Sequence, residues 1–168
     1  MSNNIRDYEF RSNPREITYI DDEPLKLDKD FNFFHNKNKF RKELTRLQLI
    51  FRDFANFSLP ASGIRDSYLK EEYSENFLIV IFTTNQVIKD ANQMMHPYTD
   101  TKIKPGCFYI QSTSKYMLLL AKDMEGLILG IDAMEDILTQ SFKVYLEQNN
   151  LEDYVKIKPF KLFSCIDQ

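Results

Sequence analysis

The sequence predicts an α+β fold, an α/β sandwich in which a mixed sheet of about five to six strands carries two long helices on one face. Three observations predict it. Phe77 to Phe82, FLIVIF, is an unbroken apolar run of strand length. Residues 106–138, GCFYIQSTSKYMLLLAKDMEGLILGIDAMEDIL, read as strand, short turn, strand and helix. A second stretch, Asn38 to Phe57, repeats apolar residues at helical spacing. With 168 residues the chain makes one domain with a core of useful size.

The elements follow in chain order. Residues 1–12 are polar and form an N-terminal arm, and residues 13–168 form the single domain. Glu16 to Ile20 alternates as a first strand, Asp21 to Pro24 makes an acidic turn, and Leu25 to Leu27 is the expected returning strand. In the first long helix, Phe40, Leu44, Leu47, Phe51 and Phe54 line one side, a core stripe by its aliphatic and aromatic content. Pro60 and Gly63 close that segment, and residues 61–75 read as a polar linker. FLIVIF takes a central place in the sheet because both of its faces are apolar. Residues 84–104 are expected as an insertion that includes a short helix from Gln86 to Met95, capped by Asn85.

Phe108, Ile110 and Ser112 alternate with Tyr109 and Gln111, so this strand has two unlike faces. Ser112 to Lys115 is a turn of hairpin length, and Tyr116 to Ala121 is a nearly continuous apolar strand. Asp123 stands at an N-cap position, with Glu125 in the first turn beside the positive helix end. The helix that follows extends to Gln148. Leu127, Ile131, Met134, Ile137 and Leu138 share one side, and Glu125, Asp132, Glu135, Asp136 and Lys143 the other. Gly126 and Gly130 lie one turn apart beside the apolar stripe, and two glycines inside a helix suggest close approach to the strands, the alternative being one glycine near the helix start and one tolerated glycine. Val155 to Phe163 is the last strand, confined by Pro159 to an edge or a bulge.

The chemistry-bearing residues are few. His35 and His96 are the only histidines, and neither sits in a metal-ligand pair. No phosphate-binding glycine loop and no nucleophile elbow occur. The acidic residues of the second helix are expected on a solvated face, where acid–base work would need a cleft that raises one pKa. No catalytic, cofactor-binding or metal-binding residue is therefore assigned, and no cofactor is expected. The net charge of −3, with both signs interspersed, argues against nucleic acid as a partner. No run approaches the roughly 20 apolar residues that span a bilayer, so no membrane partner is expected. Cys107 and Cys165 are too few for a disulfide framework and are expected as buried reduced thiols. The polar start MSNNIRDYEF lacks an apolar signal core, which makes a soluble cytoplasmic protein the expectation.

The hairpin GCFYIQSTSKYMLLLA, followed by Gly126 and then Gly130 four positions on, resembles the non-catalytic N-terminal domain of glycoside hydrolase family 20, the β-N-acetylhexosaminidases. NPREITY at Asn13–Tyr19, PLKL and the Asn38–Phe57 helix fall in the same order as that domain's first elements. The resemblance implies an α/β sandwich, an accessory or scaffold role, and a partner in the form of a separate catalytic chain or a second copy. An interaction module and a truncated hydrolase are the alternatives. No catalytic residue of the family carries over, because the barrel motif that holds them is missing from these residues. Leu129 stands where the family often has an aromatic residue. It falls on the acidic side of the helix with Ile128 beside it at the edge of the apolar stripe. Ile128 and Leu129 are thus the candidate interaction surface, with Leu129 expected to lie beneath the arm, the 84–104 insertion or another chain.

Overall fold

The computed structural model describes residues 7–27, 32–35, 41–55, 61–63, 77–82, 103–147 and 154–166. The chain runs β1 (Glu16–Tyr19), β2 (Leu25–Leu27), β3 (Asn32–His35), α1 (Arg41–Ala55), β4 (Ala61–Gly63), β5 (Phe77–Phe82), β6 (Cys107–Ser112), β7 (Tyr116–Ala121), α2 (Met124–Glu147), β8 (Val155–Ile157) and β9 (Phe160–Cys165). The expected α+β sandwich is what forms. Its main sheet has seven strands, more than the five to six expected, in the order β1-β9-β6-β7-β5-β3-β4. The sheet is mixed: β1, β9, β6 and β7 are antiparallel neighbours, and β7, β5, β3 and β4 are parallel.

The sheet's periodicity explains its core. Phe108 and Ile110 of β6, Met117, Leu119 and Ala121 of β7, and Phe160 and Leu162 of β9 point to one face and join one buried cluster. Leu127, Ile131, Met134, Ile137, Leu138 and Phe142 of α2 lie in the same cluster, with Leu47 and Ile50 of α1. Leu118 and Leu120, on the opposite face of β7, are also fully buried. A strand apolar on both faces and covered on both is what the continuous run at 116–121 implies. β5 lies between β7 and β3, the interior position expected of FLIVIF.

Asp123 ties this frame together. Its Oδ1 accepts the Gly126 backbone N–H at 2.9 Å, the capping bond the sequence predicts. Both carboxylate oxygens also accept the Gly106 N–H at 3.0 Å. Gly106 has φ 78°, which permits the turn that opens β6. One carboxylate thus fixes the start of α2 against the start of β6. The two helix glycines are pressed against strands, as expected. A Cβ on Gly126 would run into the carbonyl oxygen of Cys107, and one on Gly130 into the side chain of Leu119.

Four expectations change. β2 does not return along β1. It pairs antiparallel with β8, Leu25 opposite Ile157, in a separate two-stranded ribbon whose Leu25, Leu27, Val155 and Ile157 join the core. The last strand is two strands, because Lys158 and Pro159 interrupt the ladder where the chain passes from ribbon to main sheet. β9 is then an interior strand between β1 and β6, with proline kept out of it. Two short strands, β3 and β4, form where no strand was read. Cys107 and Cys165 are not free thiols; they are bonded to each other. The cause is register. The Ile166 N–H donates to the Gly106 carbonyl at 2.8 Å, so the adjacent pair 107/165 is a non-hydrogen-bonded one, where antiparallel strands approach most closely. The Gln86–Met95 helix lies outside the described residues, as does all of the 84–104 insertion except Ile103 and Lys104.

Candidate functional site

Helical spacing puts Asp132, Glu135 and Asp136 on one side of α2, three and four residues apart. The face is not simply solvated, as the sequence alone suggested. Two arginines from elsewhere in the chain close over it. Arg46 arrives from α1, which packs alongside α2, and its Nε donates to Glu135 Oε2 at 2.9 Å while its terminal nitrogen reaches Asp132 and Glu135. Arg11 arrives from the N-terminal arm. Its Nε donates to Asp136 Oδ1 at 2.8 Å, and its terminal nitrogen donates to Glu135 Oε1 at 2.9 Å and to the Asp132 carbonyl at 2.8 Å.

The arm is held by its main chain as well. The Gln140 carboxamide pairs with the peptide at Glu9, accepting its N–H at 2.9 Å and donating to its carbonyl at 2.7 Å. Asp136 Oδ2 accepts the Arg11 N–H at 3.0 Å, and the Tyr19 hydroxyl accepts the Tyr8 N–H at 2.9 Å. Tyr8 is the anchor. It is buried, packs edge-on against Phe160, and its hydroxyl accepts the Lys158 N–H at 2.9 Å. Ser141 spends its own proton on the Ile137 carbonyl, so Tyr8 is the donor in the contact between the two hydroxyls at 3.4 Å.

The electrostatics follow from this packing. Burial raises the Glu135 carboxyl, but the hydrogen bonds and positive charge of Arg46 and Arg11 outweigh it and leave the pKa below the usual carboxylate range. Glu135 raises the Arg46 guanidinium more than burial lowers it. Burial pushes the Tyr8 phenol up to about 12, and the hydrogen bond it accepts from the Lys158 N–H pulls the other way. A carboxylate held ionised in this way is a poor general acid. The arrangement is suited instead to holding a cationic side chain and the peptide that carries it.

A groove of about 290 Å³ continues from the arm, between Phe10–Pro14, α2 and the end of β9. Leu129 lines it with Phe108, Ala133 and Ile166. Leu129 is half-buried and packs on the core, whereas Ile128 is 38% exposed and lies off the buried stripe. His35 falls in β3, and His96 lies outside the described residues. Among the described residues, no cluster of three or more His, Cys, Asp or Glu is arranged to hold a metal ion. Sequence reasoning missed the roles of Tyr8, Arg11 and Arg46. A signal was present in YEFR at residues 8–11, where aromatic residues alternate with charges as in an extended segment lying on a surface.

By sequence, no protein-family model and no curated protein matches the chain. By structure, it is similar to the solved structure of CpGH84D, with TM-score 0.61 and 15% identity, over 95% of this chain and 24% of that one. It is also similar to a Streptomyces plicatus β-hexosaminidase variant in complex with the product GlcNAc, with TM-score 0.57 and 8% identity, over 90% and 25%. A β-N-acetylhexosaminidase from Bacteroides fragilis gives TM-score 0.52 and 11% identity, over 92% and 24%. The chain therefore spans about a quarter of the length of these proteins. At such identities the likeness is one of fold: nearly all of this chain has the fold of a domain that recurs in β-hexosaminidases, in agreement with the resemblance carried by the hairpin and the two helix glycines.

Proposed function

We propose that this chain is a non-catalytic accessory or scaffold domain, related to the N-terminal domain of β-N-acetylhexosaminidases and acting beside a catalytic region. The observation that carries this reading is the asymmetry of coverage: 90–95% of this chain corresponds to about a quarter of each hydrolase. The catalytic region would be a separate chain or a continuation of this one. The carboxylate cluster on α2 supports the same reading, since its members are committed to two arginines.

The purified chain should not hydrolyse a nitrophenyl N-acetylglucosaminide. Turnover proportional to protein concentration would overturn the non-catalytic reading. Co-expression with a catalytic barrel encoded nearby should give a stable complex, and Ile128, exposed on α2, is a candidate contributor to it. Among the described residues no helix is long and apolar enough to cross a membrane. The Cys107–Cys165 bond supports an oxidising compartment over the cytoplasm.

A further inference from the structure

We propose that the face of α2 beneath the N-terminal arm is a peptide-docking site for an extended, arginine-bearing segment of a partner protein, with residues 8–11 of this chain as its resident competitor. The contacts themselves suggest it. Three main-chain groups of the arm, the N–H and C=O of Glu9 and the N–H of Arg11, are bound by side chains of α2, Gln140 and Asp136. Main-chain recognition of this kind accepts any extended peptide in the right register. Specificity comes from two side-chain subsites three residues apart. One is the slot that takes Tyr8 against Phe160 and Ser141, and the other is the carboxylate clasp that takes Arg11.

Charge complementarity identifies the occupant. Arg46 belongs to α1 and is a fixed part of the clasp, so that among the described residues outside the arm Asp132, Glu135 and Asp136 share one built-in cation. The second cation must be brought by the segment that docks, and a planar guanidinium fits two carboxylates and a carbonyl at once. The arm's bonds at Glu9 and Arg11 are exposed to water, where ion pairs and hydrogen bonds are individually weak. The latch can therefore open at the arginine end. The groove beyond it, lined by Phe108, Leu129 and Ile166, offers an apolar continuation for a longer segment. This inference goes beyond the accessory role and does not depend on any relation to a hydrolase.

The probe is a fluorescein-labelled peptide with the sequence of residues 7–14, titrated against the full chain and followed by anisotropy. In Arg11→Glu the tethered arm is repelled from the clasp, so the peptide should bind that variant about tenfold or more tighter than it binds the wild type, whose arm competes at high effective concentration. A peptide with glutamate in place of its arginine should not bind, and added salt should weaken the wild-type peptide. A folded Arg11→Glu chain that ignores the peptide, or that binds both peptides alike, would overturn the proposal. Should Arg11→Glu fail to fold, a cleavage site placed between Ser12 and Asn13 of the otherwise wild-type chain serves instead. After cutting, exchange of the arm for labelled peptide supports the site, and an arm that never leaves overturns it. A concentration-dependent wild-type dimer that the free peptide dissociates would also overturn it, because the occupant would then be the arm of a second copy.

Discussion

Gly126 and Gly130 are two residues of one type whose substitutions should behave differently, because different atoms face them. By helix propensity alone, alanine at either position should stabilise the protein by up to about 1 kcal/mol. At Gly126 a Cβ meets the main-chain carbonyl of Cys107, which the sheet holds in place. At Gly130 it meets the end of the Leu119 side chain, with Phe108 Cδ2 at 3.3 Å, and a side chain can adjust. Gly126→Ala should therefore cost more than Gly130→Ala, and Gly130→Leu should overpack the contact by roughly 1–3 kcal/mol. Denaturation midpoints for the three variants check this, and an unchanged midpoint in Gly130→Leu would remove the close-packing argument. Tyr8 gives a second test through pH. Its phenol is raised to about 12 in the folded chain from an ordinary value of 10.0. A raised acid favours its neutral form in the fold. Its contribution is thus fully present below pH 10 and is lost as pH rises towards 12, by roughly 2–3 kcal/mol when titration is complete. Tyr8→Phe does not titrate, so the stability gap between wild type and variant should close over that window. A gap that stays constant from pH 9 to 12 would contradict the assignment.

At the scale of the element, the long helix was the most legible part of the sequence. Its N-cap at Asp123, its apolar stripe and its glycine contacts all follow from local spacing, and α2 runs from Met124 to Glu147, one residue short of the expected end. What local spacing could not supply was the occupant of the opposite side. Asp132, Glu135 and Asp136 look the same in sequence whether water or arginine faces them, and Arg46 and Arg11 come from 86 and 125 residues away. The short strands failed for a related reason. NFFH and ASG have too few residues to show a period, and they are strands because β5 gives β3 a parallel partner and β3 in turn gives one to β4. The clasp makes its own prediction. Glu135 is held below the usual carboxylate range, so its contribution is present above the ordinary value of 4.5 and is lost as pH falls through the depressed value in the fold. Arg46→Ala should cost about 1–2 kcal/mol near neutrality. It should also flatten the acid limb of the stability curve below pH 4.5, because Arg46 is the larger of the two charge partners that lower Glu135. Parallel acid limbs for variant and wild type would show that the clasp contributes nothing across this range.

At the scale of the molecule, the sandwich was legible because FLIVIF and YMLLLA are too apolar to be anything but interior strands, and these two lie side by side. The pairing of β2 with β8 was not, since it joins residues about 130 positions apart that only the finished core brings together. The same holds for Cys107 and Cys165. Each reads alone as a small buried apolar residue, and only the antiparallel register of β6 and β9 sets them face to face. Once paired, they close a loop between residues 58 apart in sequence. A crosslink over a loop of that size removes denatured-state entropy worth about 4 kcal/mol on the chain-entropy account. The loop contains β7 and α2, the centre of the core, so its closure bears on the cooperative unfolding of the whole sheet. The native protein, isolated without reductant, should titrate no free thiol even in denaturant. Added reductant should lower the denaturation midpoint, and Cys107→Ser with Cys165→Ser should reproduce that lower midpoint and no longer respond to reductant. Two titratable thiols in the freshly isolated protein, or identical midpoints with and without reductant, would mean that the bond plays no part in holding β6 to β9.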